Sequence, residues 1–193
     1  MICVDSISAE KRLLRADLRQ SREDNFIAES WIHIVQSPEI QGAQIIGSYI
    51  SYGFEPQTLD INTSLIESGK TLLLPRILPN KDLEWVAWDG SPTSLKKNGK
   101  VLEPEGRSFG GESSIDVVIV PALVVDRQGN RMGQGGGSYD RALARISSWK
   151  LALVGAHEIL NTSLPTENHD VKVDAVATPG LLLRFNQDAP DRP

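Results

Sequence analysis

A glycine-rich segment carries the strongest chemical signal in the chain. Arg131 is followed closely by Gly133, Gly135, Gly136 and Gly137. Because glycine has no Cβ atom, successive backbone N–H groups in such a segment can converge on one anion. Arg131 adds a permanent charge and a planar fork that suits phosphate. The segment therefore predicts a phosphate-binding loop.

The sequence around this loop separates it from other glycine-rich segments. It lacks the Gly-Lys-Ser/Thr ending of a Walker A loop, and its Gly133-x-Gly135-x-Gly137 spacing is a poor dinucleotide-binding fingerprint. A flexible linker is the alternative interpretation. However, a very apolar stretch precedes the loop and a helical pattern starting near Ser138 follows it, which favours a binding site.

Two aspartates are candidate magnesium ligands. Asp140 lies in the first turn of the helix after the loop, beside the expected phosphates, and Mg²⁺ prefers one or two carboxylates together with phosphate oxygens and water. It is an equally good interpretation that Asp140 binds no metal and only interacts with the positive end of the helix dipole. Asp174 is weaker by itself, since a solvated aspartate on an edge strand is the default.

Other candidate residues lie earlier in the chain. Lys11, Arg15 and Arg19 recur at four-residue spacing in the first helical pattern, where a solvated face is the default interpretation. Glu55 follows a predicted strand, at a position where substrate-facing residues lie in α/β folds. The sequence shows no nucleophile triad and no histidine cluster with zinc spacing.

Composition limits the class of protein. The chain has 193 residues, of which 40% are hydrophobic and 23% charged, and we expect one compact domain over 1–193. A net charge of -5 argues against a nucleic-acid partner. The longest apolar run is shorter than the roughly 20 residues that a membrane helix needs. With a single cysteine and no evident secretory signal, the sequence predicts a cytoplasmic protein, and we expect a monomer.

Helical and extended patterns alternate along the chain. We expect helices from Ser8, over 26–35, from a cap at Thr58 to about Gly69, and after Ser138. We expect strands or extended segments over 43–50, 71–74, 83–88, 116–125, 151–155 and 171–177. Residues 89–114 are predicted to be irregular and 186–193 to be a disordered tail. This alternation predicts a single-domain α/β fold, with a mostly parallel sheet and helices on both faces in a Rossmann-like three-layer arrangement.

Several motifs together resemble the 5-formyltetrahydrofolate cyclo-ligase family, also called methenyltetrahydrofolate synthetases. They run in order through nearly the whole chain. They are Lys11-x-x-x-Arg15, Glu55-x-x-Thr58, Pro75-Arg76, the segment 120–126, Gly129-Asn130-Arg131-Met132-Gly133-x-Gly135-x-Gly137-x-Tyr139-Asp140-Arg141, and His169-Asp170-Val171-x-Val173-Asp174.

The resemblance implies an ATP- and Mg²⁺-dependent ring closure of 5-formyltetrahydrofolate to 5,10-methenyltetrahydrofolate. Carried over by position, the implied substrate contacts are Ile50, Glu55 and Tyr139, the implied metal ligands are Asp140 and Asp174, and the implied catalytic residues are Arg131 and Tyr139. The implied ATP-binding residues are Lys11, Arg15, Arg131, Gly133, Gln134, Gly135, Gly136, Gly137, Ser138 and Tyr139.

One position departs from the family pattern. Ser138 stands where the family commonly has the first of two aromatic residues. Ser138 and the segment 89–114 support one alternative to the cyclo-ligase, a related MgATP-dependent ligase that acts on another substrate. A second alternative, from a different class, is a folate- or nucleotide-binding module without turnover. Retention of Arg131, Asp140 and Asp174 together argues against a pure binding module.

Overall fold

The structure, a computed structural model, describes residues 4–185. The predicted disordered tail lies outside this range. The helices are α1 (Val4–Asp24), α2 (Pro38–Gly42), α3 (Leu59–Glu67) and α4 (Ser138–Leu143), with 3-10 turns at Ile32–Gln36, Pro92–Ser94 and Glu112–Ser114. The strands are β1 (Ile45–Gly47), β2 (Thr71–Ile77), β3 (Leu83–Ala87), β4 (Leu95–Asn98), β5 (Val101–Pro104), β6 (Val117–Pro121), β7 (Val124–Asp126), β8 (Arg131–Met132), β9 (Trp149–Leu153), β10 (Ile159–Leu160), β11 (Ala175–Thr178) and β12 (Leu181–Arg184).

A seven-stranded sheet in the order β12-β11-β9-β6-β1-β2-β3 forms the centre of the fold. The five inner strands β11, β9, β6, β1 and β2 are parallel to one another. The two edge strands, β3 and β12, pair antiparallel. The predicted α/β fold with a mostly parallel sheet is confirmed.

Side chains of the central strands alternate between two buried clusters, one on each face of the sheet. In β6, Ile119 packs into the cluster that also holds residues of α2 and α3, while Val118 and Val120 pack into the cluster that holds Leu143 of α4. Since both faces of the sheet are covered, every residue of the central strand β6 is apolar. The helices therefore lie on both faces, as predicted.

The apolar stretch 116–125, predicted as one strand, is divided between two sheets. It leaves the main sheet after Pro121, and Leu123 donates its N–H to Met132 at 2.8 Å. There β7 pairs with β8 and β10 in a separate three-stranded sheet. Leu14 and Leu18 of α1 pack against this small sheet. The division brings α1 close to the segment that follows β8.

Other element boundaries differ from prediction. Helix α1 begins before Ser8, which lies inside the helix. The helix predicted over 26–35 is wrong: Phe26 and Ile27 are exposed, so their apolar side chains have no core to bury into. The helical residues start instead with the 3-10 turn, and Ser37 then caps α2 with Pro38 in its first turn.

The segment 89–114, predicted to be irregular, contains the antiparallel hairpin β4–β5. Its turn includes Gly99 at a φ of 60°. Along residues 4–185, no helix combines the length and apolar character needed to cross a membrane.

Candidate active site

One cavity of about 390 Å³ lies beyond the carboxyl ends of the parallel strands. Strand β6 contributes Pro121 at its end, β2 contributes Ile77, and α1 covers one side. All of the predicted ATP-binding and substrate-binding residues line this cavity, together with Asp140: Lys11, Arg15, Ile50, Glu55, Arg131, Gly133, Gln134, Gly135, Gly136, Gly137, Ser138 and Tyr139. Ligands collect at this edge of open α/β sheets.

The glycine-rich loop connects β8 to α4 and uses backbone conformations that glycine permits. Gly135 has a φ of 97°, and Gly137, at the N-cap of α4, has a φ of 67°. A Cβ atom on Gly135 would lie 3.3 Å from the Arg15 guanidinium. A side chain at either position would therefore strain the loop and crowd the neighbouring cations.

Two arginine side chains of helix α1 bind backbone carbonyl groups of the glycine-rich loop. Arg15 donates through Nε to the carbonyl oxygen of Gly133 at 3.1 Å, and Arg19 donates to the carbonyl oxygen of Gln134 at 2.8 Å. The C=O and N–H groups of a trans peptide point in opposite directions. The N–H groups of Gln134 and Gly135 consequently point away from α1 and are directed to the other side of the loop.

Arg131 and Asp140 connect the two ends of the loop. The Arg131 guanidinium, which is nearly fully buried, lies 2.5 Å from Oδ1 of Asp140. The same oxygen accepts the N–H of Val171 at 3.2 Å. Within residues 6–185, Nε of Arg131 has no hydrogen-bond partner. A buried guanidinium with an unused donor suits an anionic ligand oxygen.

Lys11 is buried, with 4% of its surface exposed, contrary to the solvated face that is the default for its spacing. Its ammonium lies 2.8 Å from Glu167 and 2.5 Å from Asp170. The hydrogen bond from Lys11 lowers the pKa of Glu167. Burial raises the pKa of Asp170, but Lys11 and the N–H of Glu167 outweigh it, so the net pKa is lowered.

Glu167 and Asp170 were not predicted as site residues, although both line the cavity. One oxygen or nitrogen of each of Glu167, His169 and Asp170 lies within 4.8 Å of the others. The available signals were the close sequence spacing of an acid, a histidine and a second acid, and the presence of Asp170 in the last family motif. That spacing does not reveal a lysine partner 156 residues away.

Glu55, Tyr139 and Ile50 also form part of the cavity wall. Burial raises the pKa of Glu55 to about 7, although the N–H of Tyr52 and the charge of Arg22 oppose the rise. Burial and the charge of Glu55 raise the pKa of Tyr139, so its phenol stays protonated. This wall offers an apolar contact, a hydroxyl donor and a carboxyl group close to half ionisation at neutral pH.

Asp174 does not line the cavity. It precedes β11 at the amino-terminal end of the sheet, where its carboxylate accepts the N–H of Lys150 at 2.7 Å. The structure brings Asp140, Glu167 and Asp170 to the cavity but does not bring Asp174 there. Its assignment as a magnesium ligand stays a prediction.

The fold is that of an α/β protein, and its cavity lies beyond the carboxyl ends of the parallel strands, where enzymes of this class bind their substrates. The family model of the 5-formyltetrahydrofolate cyclo-ligase family matches residues 7–179. The chain belongs to this family, as its motifs predicted.

Relatives from other organisms agree. The chain is 33% identical to a 5-formyltetrahydrofolate cyclo-ligase of Mycolicibacterium smegmatis over 72% of this chain and 78% of that one. It is 28% identical to the 5-formyltetrahydrofolate cyclo-ligase of Escherichia coli strain K12, over 90% of this chain and 99% of that one. The NMR structure of Aquifex aeolicus 5,10-methenyltetrahydrofolate synthetase shares the fold, with a TM-score of 0.79 and 22% identity over 95% and 96% of the two chains.

Proposed function

We propose that the chain converts 5-formyltetrahydrofolate into 5,10-methenyltetrahydrofolate, using ATP with Mg²⁺ and releasing ADP and phosphate. One observation carries the proposal. The glycine-rich loop with its cations and the wall that holds Glu55 and Tyr139 belong to a single cavity. A nucleotide and a second substrate can therefore meet in it.

The chemistry balances with these two substrates. The formyl oxygen attacks the γ-phosphorus of ATP, and the bond from that phosphorus to the β,γ-bridging oxygen breaks to release ADP. N10 of the folate then attacks the activated formyl carbon and loses its proton. The carbon–oxygen bond breaks, and phosphate leaves with the former formyl oxygen. The product is the N5,N10-methenyl cation.

The cations and the loop are suited to the phosphoryl transfer. Phosphoryl transfer depends on positioning and on neutralising charge, so no protein nucleophile is required. Lys11, Arg15 and the loop N–H groups would bind the phosphates. Arg131 would lie against the transferred phosphoryl group, where its charge favours the transition state.

The remaining wall is suited to the folate. Ile50 offers apolar contact, and Glu55 in its ionised form accepts hydrogen bonds from ring N–H groups. Tyr139 would donate its hydroxyl hydrogen toward the reacting groups. Ser138 lines the cavity and carries no aromatic ring. Neither the nucleotide nor the folate can therefore stack on this residue.

Magnesium fits the residues at this site. Oδ1 of Asp140 is engaged by Arg131 and Val171, whereas Oδ2 has no protein partner within the described range 6–185. One or two carboxylates together with phosphate oxygens and water are the ligands that Mg²⁺ prefers. When bound, the ion would neutralise charge on the ATP phosphates. Asp174 is the second ligand predicted from the family motif, and a Mg²⁺ titration of an Asp174→Asn variant tests it.

We further propose that the protein acts as a cytoplasmic monomer. Its only cysteine and its acidic net charge support a reducing compartment without a nucleic-acid partner. Sedimentation equilibrium measures the oligomeric state directly, and a dimer would contradict the proposal.

The activity assay uses the purified chain with 5-formyltetrahydrofolate, ATP and Mg²⁺, following the methenyl product by absorbance and ADP by chromatography. We expect equal amounts of both products, and none when ATP or Mg²⁺ is omitted. Folate binding without ADP release would indicate a binding module. ADP release that depends on a different acceptor would indicate a related ligase.

A further inference from the structure

Thr58 closes the Glu55-x-x-Thr58 motif, but the proposed chemistry gives it no role. It is completely buried at the N-cap position of α3. A threonine there usually accepts a hydrogen bond from an N–H group of its own helix, yet the Thr58 side chain makes no such bond within the described residues. Its hydroxyl is therefore available to another part of the chain.

The Thr58 hydroxyl binds the two peptide groups on either side of Ile50. It donates to the carbonyl oxygen of Tyr49 at 2.6 Å and accepts the N–H of Ser51 at 3.3 Å. The first group belongs to the peptide that precedes Ile50, and the second belongs to the peptide that follows it. One side chain therefore fixes the backbone on both sides of a residue that lines the cavity.

This part of the chain depends on side chains of α3 for its position. Strand β1 ends at Gly47, and residues 48–52 continue without regular secondary structure. Asn62 of α3 donates to the same Tyr49 carbonyl oxygen at 3.0 Å. Since Thr58 and Asn62 are completely buried, water does not compete for these bonds. The two side chains take over the support of the backbone where the sheet ends.

We propose that Thr58 is a positioning residue that fixes Ile50 against the folate and thereby sets the affinity for 5-formyltetrahydrofolate. The proposal rests on the proposed function, since it requires the folate to contact Ile50. An apolar contact depends steeply on distance, and a gap of about 1 Å forfeits up to about half of the attraction between packed atoms. Nucleotide affinity should not depend on Thr58, because α1 holds the glycine-rich loop.

Calorimetry measures the Kd of 5-formyltetrahydrofolate for variants that separate the hydroxyl from the shape of the side chain. Thr58→Val keeps the branched shape and removes the hydroxyl, and we expect the Kd to rise about fivefold. Thr58→Ser keeps the hydroxyl, so its Kd should stay within about twofold of the value for the unmodified protein. The KM for ATP at saturating folate should change by less than about twofold in both variants.

Thr63→Val is the matched control on the same helix. Thr63 is exposed, and its hydroxyl donates to the carbonyl oxygen of Leu59 in α3. This substitution removes a hydroxyl from α3 without touching the backbone around Ile50. It should leave the Kd for the folate and the KM for ATP unchanged.

A double-mutant cycle with Ile50→Ala shows whether Thr58 acts through Ile50. In the Ile50→Ala background no large side chain is left to position, so Thr58→Val should change the Kd by less than about twofold. The proposal is overturned if Thr58→Val binds the folate normally, if Thr58→Ser is equally weakened, or if the effect persists in the Ile50→Ala background. A matching rise in the KM for ATP would also overturn it, because it would indicate a general structural role.

A crystal structure of the unmodified protein with 5-formyltetrahydrofolate gives a readout that does not depend on how the variants fold. We expect ligand carbon atoms within about 4.5 Å of the Ile50 side chain, with both Thr58 hydrogen bonds kept. A folate bound away from Ile50 would overturn the proposal. Absence of turnover in the unmodified protein would instead contradict the proposed function, because the folate affinities are measured without turnover.

Discussion

Arg131 and Asp140, nine residues apart, form a 2.5 Å ion pair that joins the strand before the glycine-rich loop to the helix after it. The pair serves two purposes. It fixes the span across which the loop must turn, and it places a cation and a carboxylate at the same end of the cavity. These two side chains therefore set both the geometry of the loop and the charges that this end of the cavity presents to a ligand.

Replacing Asp140 should affect both turnover and stability. Asp140→Ala leaves the buried Arg131 guanidinium without its counter-ion, so we expect a loss of about 2–4 kcal/mol in the free energy of unfolding. Removing the carboxylate that is proposed to bind Mg²⁺ should also lower kcat by about a hundredfold or more. Urea denaturation and the activity assay measure the two effects.

The matched control is Asp17→Ala, because Asp17 is exposed on α1. It should change neither quantity. Near-normal turnover in Asp140→Ala would show that Asp140 is not required for the metal or the phosphoryl transfer.

Substitutions of different glycines in the glycine-rich loop should have different effects on the Kd for ATP. Gly135→Ala introduces a side chain at a φ of 97° and 3.3 Å from Arg15, and we expect the Kd for ATP to rise about tenfold or more. A Cβ atom on Gly136 would meet nothing closer than 3.6 Å. Gly136→Ala should therefore raise the Kd less than about threefold. Equal effects of the two substitutions would contradict the conformational explanation.

Glu55 should make stability depend on pH. Its folded-state pKa of about 7 lies above the ordinary value of 4.5, so the folded protein binds the proton more tightly than the unfolded chain. The resulting stabilisation is complete below pH 4.5, falls as the pH rises toward 7, and is absent above it. The Glu55→Gln variant cannot ionise at this position, so it does not lose this stabilisation as the pH rises.

Chemical denaturation between pH 4.5 and 8 measures the effect. We expect the stability of Glu55→Gln relative to the unmodified protein to rise by about 3 kcal/mol over the interval. Glu10→Gln, at an exposed position on α1, should show a constant difference. A constant difference for Glu55→Gln would show that Glu55 ionises in the folded protein at its ordinary pKa.

Lys11 should be required for nucleotide binding despite its two carboxylate partners. Lys11→Met removes the cation from between Glu167 and Asp170 and leaves two acids facing the expected phosphates. We expect the KM for ATP to increase about tenfold or more. Steady-state kinetics test this, with Lys100→Met in the exposed hairpin turn as the control. An unchanged KM would place the phosphates away from α1.

The sequence predicted the parts of the site that depend on local signals. The loop from Gly133 to Gly137 was recognisable because its glycines follow an arginine and precede a helix. The partners of Lys11 were not, because Glu167 and Asp170 meet it only through tertiary packing. Local periodicity assigned Lys11 to a solvated face, whereas the fold buries it at the cavity.

The fold shows the same division between local and long-range information. Alternation of apolar segments predicted the parallel sheet correctly. The helical pattern over 26–35 was misleading because periodicity alone does not show whether an apolar stripe finds a core, and Ile27 remains 69% exposed. Similarly, the apolar run through Pro121 did not reveal that it is divided between two sheets, since both halves are equally buried.

A crystal structure with a non-hydrolysable ATP analogue and Mg²⁺ tests the central claim most directly. We predict that the triphosphate lies against the N–H groups of residues 133–137, with Arg131 contacting a phosphate oxygen and Asp140 near the ion. A triphosphate bound elsewhere, with this loop making no contact to it, would contradict the account.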